Sequence, residues 1–343
     1  MASRRVTLKE VARLAGVSYQ TVSKVINKQI QVSKETEERI EQAIRTLGYR
    51  PSYTARSLRT RCSLTIGYSW QPSLHSQWNP ILDRFYHNIL LAAEAQGYYL
   101  LSFPYHADQE KYLNGYITLM DSGRVDGFIF SNVEYNDPRI ELLQRNQFPF
   151  VAFGRSNPEL VFPWVDVDGA SGVRQAVEHL IQLNHSKIAI LAWYEGSRLG
   201  DNRLSGYFSG MAAAEITIHQ EWIKRGEGVF DFGYQATGEL LSLPRRIRPT
   251  AIIALNDFAA VGAMQCIKQS GLRVGKDIAV VGFDDTPMVQ FIDPPLTSVQ
   301  QPIEEAGSII IPMLIQFIKN GYPPQPSTVL LEPKLVVRKS TTG

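Results

Sequence analysis

The segment TLKEVARLAGVSYQTVSKVIN, Thr7–Asn27, decides the fold of the N-terminal part of this chain of 343 residues. Thr7 and Glu10 stand three residues apart, which is the spacing of a capping box at the start of a helix. Gly16 supplies a tight turn after that helix, and Ser18 can cap a second one. The segment therefore predicts two short helices joined by a glycine turn.

The outer side of the second predicted helix is polar but nearly uncharged. Between Ser18 and Lys24 it offers several hydrogen-bond donors and acceptors and only one charge. A third helix, capped by Ser33 and ended by Gly48, completes a helix-turn-helix plan. In that plan the second helix fits the major groove of DNA, where Gln20 can pair with adenine. The alternative is a small helical bundle that binds no nucleic acid.

Charge is distributed unevenly along the sequence. Residues 1–62 contain 13 Lys and Arg against 5 Asp and Glu, a net charge of +8, whereas the remainder contains 22 against 28, a net charge of −6. A basic head joined to an acidic body favours a polyanionic partner for the head, with solvated surface charge as the alternative. Together with the helix-turn-helix pattern, this asymmetry predicts double-stranded DNA as the partner.

The stretch PSYTARSLRTRC, Pro51–Cys62, follows the third predicted helix. About eight of its residues can form two turns of helix, but so short a helix is unstable alone in water. It is predicted as a linker or as a segment that folds only when docked. Leu58 lies among Arg56, Arg59 and Arg61, a composition typical of a minor-groove wedge, although a plain linker can have the same composition.

The rest of the chain alternates apolar strand-like runs with helical stretches. The runs are LTIGYSW (64–70), YYLLSF (98–103), GFIFSN (127–132), PFVAFG (149–154), KIAILAW (187–193), TAIIALN (250–256) and IAVVGFD (278–284). This alternation predicts an α/β body of two doubly wound, parallel-sheet subdomains behind an all-α head. Ligands of such sheets bind at the carboxyl ends of the strands.

The head and hinge sequences, VTLKEVARLAGVSYQTVSKVIN and VSKETEERIEQAIRTLGYRPSYTARSLRT, resemble those of the LacI/GalR family of bacterial transcription regulators. The body segments RVDGFIF, NRLSGY, ALNDFAAVGAM and PPLTSVQQP resemble the same family. The resemblance implies a head at 1–50, a hinge helix at 51–62 and a periplasmic-binding-protein-like core at 63–343. The core is expected to form two discontinuous lobes, one of about 64–164 plus 296–323 and one of about 165–293 plus 327–340.

The resemblance also implies how DNA is contacted. In this family the hinge helices of two subunits pair at the centre of a palindromic operator, and the residue that matches Leu58 inserts into the minor groove. A homodimer is therefore expected. The implied DNA-binding residues are Thr7, Ser18, Tyr19, Gln20, Thr21, Ser23, Asn27, Tyr53, Ala55, Arg56, Leu58 and Arg59.

A small-molecule effector, a sugar or sugar derivative, is expected between the lobes. A sugar needs planar polar groups for its hydroxyls and an aromatic wall for its apolar ring faces. The implied effector-binding residues are Trp78, Trp164, Arg203, Phe230, Asn256 and Asp284. The alternatives are core packing for the aromatic residues, and an ion pair between the lobes for Arg203 and Asp284. A nucleobase or another non-sugar ligand is the second interpretation of the effector.

Other classes of protein are disfavoured by the motifs. The N-terminus lacks the apolar stretch of a secretory signal, and no apolar run reaches the roughly eighteen residues that span a bilayer. A cytoplasmic, nucleoid-associated bacterial protein without membrane contact is expected. Two cysteines and unsuitably spaced histidines predict no metal, and the absence of a nucleophile elbow or P-loop predicts no catalytic residue and no cofactor. A sugar-binding transport protein would share the body fold but would lack the basic head.

Overall fold

The computed structural model describes residues 6–26, 29–49, 62–70, 79–106 and 108–343. The chain forms two compact units, Met1–Cys62 and Ser63–Gly343. Seven residues of the expected sites lie outside the described residues: Asn27, Tyr53, Ala55, Arg56, Leu58, Arg59 and Trp78.

The first unit contains the three predicted helices, α1 (Leu8–Ala15), α2 (Tyr19–Ile26) and α3 (Lys34–Leu47). The helix α1 begins as expected, since the Thr7 backbone N–H donates to Glu10 Oε2 at 2.7 Å. Gly16 separates the first two helices with a φ of 66°, a left-handed value that glycine adopts without strain. The core of this unit is formed by Val11, Ala12, Ala15, Val22, Ile40, Ala43 and Tyr49. The helix-turn-helix prediction is confirmed.

The second unit holds two six-stranded sheets, each at the centre of one lobe. The first sheet consists of β1 (Thr65–Trp70), β2 (Tyr99–Pro104), β3 (Gly127–Phe130), β4 (Phe150–Phe153), β5 (Trp164–Val167) and β11 (Thr328–Leu331). Their spatial order is β11-β5-β4-β3-β1-β2, and all pairs are parallel. The helices of this lobe are α4 (Pro80–Ala95), α5 (Gln109–Asp121), α6 (Pro138–Arg145) and α11 (Ile303–Asn320).

The second sheet has the same architecture with one antiparallel edge. Its strands are β6 (Ile188–Trp193), β7 (Ile223–Gly226), β8 (Ala251–Ala254), β9 (Ala279–Asp284), β10 (Thr297–Gln300) and β12 (Lys334–Val336), in the order β12-β10-β9-β8-β6-β7. Only the pair of β10 and β12 is antiparallel among them. The helices of this lobe are α7 (Gly169–Gln182), α8 (Arg198–Ala213), α9 (Phe230–Leu241), α10 (Asp257–Gln269) and α12 (Lys339–Thr342). The predicted α/β fold is confirmed.

The chain passes between the lobes three times, after β5, after β10 and after β11. The expected lobe ranges differ from this arrangement in three places. Residues 165–167 and 328–331 lie in the first sheet rather than the second lobe, and 297–300 lie in the second sheet rather than the first lobe. The physical reason is strand pairing. Each of these short strands pairs with the neighbouring strands of its own sheet before the chain crosses to the other lobe.

Apolar residues of both lobes are buried against the sheets. The centre of the second lobe is a continuous cluster built from the strands β6, β8 and β9, and the helices on both faces of the sheet add to it. The first lobe has one cluster on each face of its sheet. Among the residues that the structure describes, no helix is long and apolar enough to cross a membrane.

Candidate functional site

Three predicted polar residues lie together at the carboxyl edge of the second sheet. Asp284 is the last residue of β9, and Asn256 follows β8 and caps α10. Arg203 lies in α8, and its guanidinium is 3.7 Å from Asp284 Oδ1. Both members of this pair belong to the second lobe, so the alternative of an ion pair between lobes is wrong. Three of the expected effector-binding residues thus lie at one edge of the second sheet.

Arg203 is almost completely buried, with 3% of its surface exposed. One guanidinium nitrogen donates to the Leu255 carbonyl, and the group lies 3.7 Å from the Phe283 ring and 5.5 Å from the Trp193 ring. Its Nε has no acceptor among the described residues. Burial lowers the pKa of Arg203, and the Asp284 carboxylate opposes that shift. A buried cation with an unused donor suits a ligand that presents oxygen acceptors.

A second carboxylate, that of Asp257, lies near Asp284 at the start of α10. It is buried and accepts hydrogen bonds from the Ser298 hydroxyl at 2.6 Å and from the Thr286 N–H and hydroxyl at 2.7 and 2.9 Å. Asp284 accepts one from Gln301 Nε2 at 2.7 Å. Burial raises the pKa of both carboxyl groups, and the nearby Asp284 charge adds to the increase for Asp257.

Asn256 and Phe230 lie on neighbouring helix starts. The Asn256 Oδ1 accepts from the Ala259 N–H at 2.9 Å, and its Nδ2 donates to the Gly228 carbonyl at 2.6 Å. These two bonds fix the amide plane and leave one N–H and one lone pair for a ligand. Phe230 begins α9 with 39% of its surface exposed, so its ring can serve as part of an aromatic wall.

Trp164 begins β5 and packs against the core of the first lobe, as the core-packing alternative predicted. Arg155, which follows β4, lies 5.6 Å from the centre of that ring and donates to Asp166 Oδ2 at 2.6 Å. Another nitrogen of Arg155 donates to Asn202 Oδ1 on α8 at 3.4 Å. The Trp164 ring therefore lies beside Arg155, whose guanidinium is hydrogen-bonded to a residue of each lobe.

A second bridge between the lobes lies at the start of α8 and involves residues that no sequence pattern had indicated. The Arg198 backbone N–H donates to Glu134 Oε2 at 2.7 Å, and its Nε donates to the Ser156 carbonyl at 2.9 Å. Glu134 and Ser156 lie in the loops after β3 and β4. The rule that ligands of doubly wound sheets bind at the carboxyl ends of the strands, applied to the first lobe, would have drawn attention to these loops.

The outer face of α2 presents the predicted base-reading residues of the head. Tyr19 and Gln20 are exposed at the start of this helix. The Ser18 and Thr21 hydroxyls lie 2.8 Å apart, and Ser18 Oγ accepts from the Thr21 N–H at 3.0 Å. Of the other expected contacts, Thr7 is exposed before α1 and Ser23 is partly buried on α2. The first turn of α2 thus offers a phenol and a carboxamide to solvent.

Known proteins match both units of this chain. The model for bacterial regulatory proteins of the lacI family matches residues 7–52, and that for a periplasmic binding protein-like domain matches residues 177–341. The HTH-type transcriptional regulator CelR of Thermobifida fusca is 35% identical, and the match covers 98% of each chain. The chain belongs to the LacI family. The ribose operon repressor of Escherichia coli K12 is also 35% identical, over 91% of this chain and 93% of that protein.

Solved structures of LacI-family members have the same fold. The lac repressor dimer bound to operator and the anti-inducer ONPF is 30% identical, with a TM-score of 0.86 over 99% of this chain and 100% of that chain. The complex of the regulator CelR with cellobiose is 32% identical, with a TM-score of 0.73 over 98% of this chain and 100% of that chain. The relatives are transcription regulators rather than enzymes, and this LacI-family member is a DNA-binding transcription regulator.

Proposed function

We propose that this LacI-family protein is a repressor that binds a palindromic operator as a homodimer and is controlled by a sugar or sugar derivative held between the lobes of its core. The observation that carries the effector part is the buried pair of Arg203 and Asp284 at the carboxyl edge of the second sheet. A CelR structure contains cellobiose, and another relative is a ribose operon repressor, which supports a sugar for this chain as well.

The chemistry of the cluster matches that of sugar hydroxyls. A hydroxyl both donates and accepts hydrogen bonds, so its binding site needs groups of both kinds. Arg203 provides only donors, the ionised Asp284 only acceptors, and Asn256 one of each. The exposed Phe230 ring adds an apolar surface for a sugar ring face. Such a mixture of apolar wall and few placed polar groups is typical of small-molecule sites in doubly wound folds.

Exposed apolar side chains support the homodimer. Leu90 and Leu91 lie on α4, and Tyr99 begins β2, the edge strand of the first sheet. In the second lobe, Phe291 is 80% exposed. Large exposed apolar groups mark surfaces that contact other proteins, and an edge strand leaves backbone groups unpaired. A two-fold dimer brings one head to each half of a palindromic operator, as in the lac repressor dimer bound to operator.

The two-lobed core provides a way for the effector to control DNA binding. The bridges Arg155–Asn202 and Arg198–Glu134 hold the lobes in the arrangement described above. A ligand that contacts both lobes can shift the equilibrium between two arrangements of the lobes. The shift is limited to the difference between its affinities for the two arrangements. The hinge sequence joins the core to the head, so a shift of the first lobe alters hinge pairing and with it the affinity for the operator.

A thermal-shift experiment on the full chain with cellobiose, ribose and guanine tests this function. A sugar at about 100 times its Kd should stabilise the protein by about 2.7 kcal/mol. Arg203→Lys keeps the positive charge but loses the planar guanidinium, which can donate two parallel hydrogen bonds. If this change weakens binding tenfold, about 1.4 kcal/mol of the stabilisation should remain.

Arg273→Lys is the matched control, since Arg273 is exposed and paired with Asp277 away from the cluster. It should respond to the ligand like the wild type. If guanine stabilises the protein and neither sugar does, the proposed effector is a nucleobase rather than a sugar. An unchanged response in Arg203→Lys would show that the site lies elsewhere.

A further inference from the structure

Trp193 is the last residue of β6 and pairs with Gly226 of β7. It therefore lies at the carboxyl edge of the second sheet, where Asn256 and Asp284 also lie. It was not among the residues expected in the effector site, although it ends the apolar run KIAILAW.

Two glycines make room for the side chain of Trp193. A Cβ atom at Gly200 would lie 2.9 Å from Trp193 Cβ, and a Cβ atom at Gly228 would lie 3.2 Å from the indole Nε1. The guanidinium of Arg203 lies 5.5 Å from the centre of the ring. The partly buried indole thus lies beside α8, the loop before α9 and the arginine of the proposed effector site.

The indole N–H of Trp193 is buried and has no acceptor in the described part of the chain. The Nε of Arg203, in the same cluster, is buried without an acceptor too. Trp222 of the same lobe behaves differently, since its Nε1 donates to the Ile247 carbonyl at 2.7 Å. Buried donors nearly always have partners, because an unpaired one loses its hydration without compensation. Two neighbouring unpaired donors therefore indicate a place where the oxygen atoms of a ligand bind.

We propose that Trp193 is a specificity-determining residue of the effector site and that its indole N–H donates to an oxygen atom of a ligand that also binds Arg203. This inference rests on the proposed function. The ligand class is a polyhydroxylated ring, whose neighbouring oxygens accept from both donors while its C–H face packs on the aromatic ring. A ligand held by stacking alone would not require the N–H.

Ligand binding at Trp193 involves a local rearrangement. The N–H is not exposed to solvent, and Gly228 lies against it. An oxygen atom can therefore reach it only after Gly228 moves away from the indole nitrogen.

The first experiment measures thermal unfolding of the full chain without ligand. Trp193→Phe keeps an aromatic ring and removes the unpaired donor, so its unfolding temperature should equal or exceed that of the wild type. Trp222→Phe is the matched control, since it leaves the Ile247 carbonyl without its donor and should lower the unfolding temperature. A decrease for Trp193→Phe as large as that for Trp222→Phe would overturn the inference.

The second experiment measures binding of cellobiose and of ribose to the same proteins by calorimetry. For a sugar that binds the wild type, Trp193→Phe should weaken binding about tenfold, the effect of one lost hydrogen bond of about 1.4 kcal/mol. Trp222→Phe should bind as the wild type does. Unchanged affinity in Trp193→Phe with weakened binding in Arg203→Lys overturns this inference alone. Unchanged affinity in both variants overturns the proposed site itself.

Discussion

At the scale of single residues, the buried guanidinium of Arg203 lies near two carboxyl groups, those of Asp257 and Asp284. The family resemblance of the sequence implied Arg203 and Asp284 as ligand-binding groups, and Asp284 ends a strand, where ligands of such sheets bind. It did not predict Asp257, because an aspartate in the first turn of a helix is usually exposed to solvent and interacts favourably with the helix dipole. The structure instead buries this carboxylate under Ser298 and Thr286. The burial of the Asp257 carboxylate depends on which strands surround the start of the helix. The sequence near Asp257 does not indicate which strands these are.

The free energy of unfolding should decrease with rising pH because of these carboxyl groups. Burial raises the pKa of Asp257 in the folded chain, so the folded state retains a proton above the ordinary Asp pKa of about 3.9. Stability is then lost as pH rises from that value towards the raised pKa. Asp257→Asn removes this titration, so urea unfolding between about pH 5 and about pH 8 should show a smaller decrease than in the wild type.

Asp277→Asn is the control for this comparison. The partly exposed Asp277 carboxyl accepts hydrogen bonds from Arg273, which lower its pKa to about 2. It stays ionised over the whole range, so its removal should leave the pH dependence unchanged. The slope against pH is the quantity to compare, because the amide also alters the bonds to Thr286 and Ser298. A slope in Asp257→Asn equal to that of the wild type would mean that its pKa is not raised.

At the scale of elements, the head could be predicted almost completely. Its caps and turns, Thr7, Gly16, Ser18, Ser33 and Gly48, are local signals, and each is found where it was expected. The short strands β5, β10 and β11 could not be assigned to their sheets in the same way. Each has four residues, and β11 pairs with β5 although they are far apart in the sequence. Nothing near a four-residue strand specifies such a distant neighbour.

Base reading by α2 gives a prediction at this scale. Gln20 is exposed in the first turn of the helix, so Gln20→Ala should reduce the preference for one base pair of each half-site. The loss should be about 1–3 kcal/mol of discrimination, as measured by selection from random duplex DNA followed by binding to single-base variants. Gln42→Ala on α3 removes another exposed amide, from the supporting helix, and should leave the selected sequence unchanged. Identical base preferences for Gln20→Ala and the wild type would exclude Gln20 from base reading.

At the scale of the whole core, the hydrogen bonds of Arg155 and Arg198 join the lobes in addition to the three chain crossings. Glu134 of the first lobe accepts from the first backbone N–H of α8 in the second lobe. A carboxylate at a helix N-terminus is stabilised by the unpaired N–H groups there. The bridge therefore couples the orientation of α8, which carries Arg203, to the position of the first lobe.

Glu134→Ala should loosen this connection. The amide of Arg198 loses its acceptor, so hydrogen exchange of the segment 198–202 should become faster than in the wild type. Glu141→Ala is the matched control, because Glu141 is an exposed carboxylate that pairs with Arg145 of the same helix, α6. It should leave exchange in α8 unchanged. Equal exchange rates in Glu134→Ala and the wild type would show that the bridge does not hold the lobes.

Both sheets receive an edge strand from the last part of the chain, β11 and β12, and Ser340 bonds the Val280 carbonyl and the Thr297 N–H. During synthesis on the ribosome, the helix-turn-helix unit can fold as soon as it emerges, because its contacts are local. Neither lobe can be completed until residues beyond 328 have been added. A polypeptide released early would therefore carry a folded helix-turn-helix unit without the two complete lobes between which we propose that the effector binds.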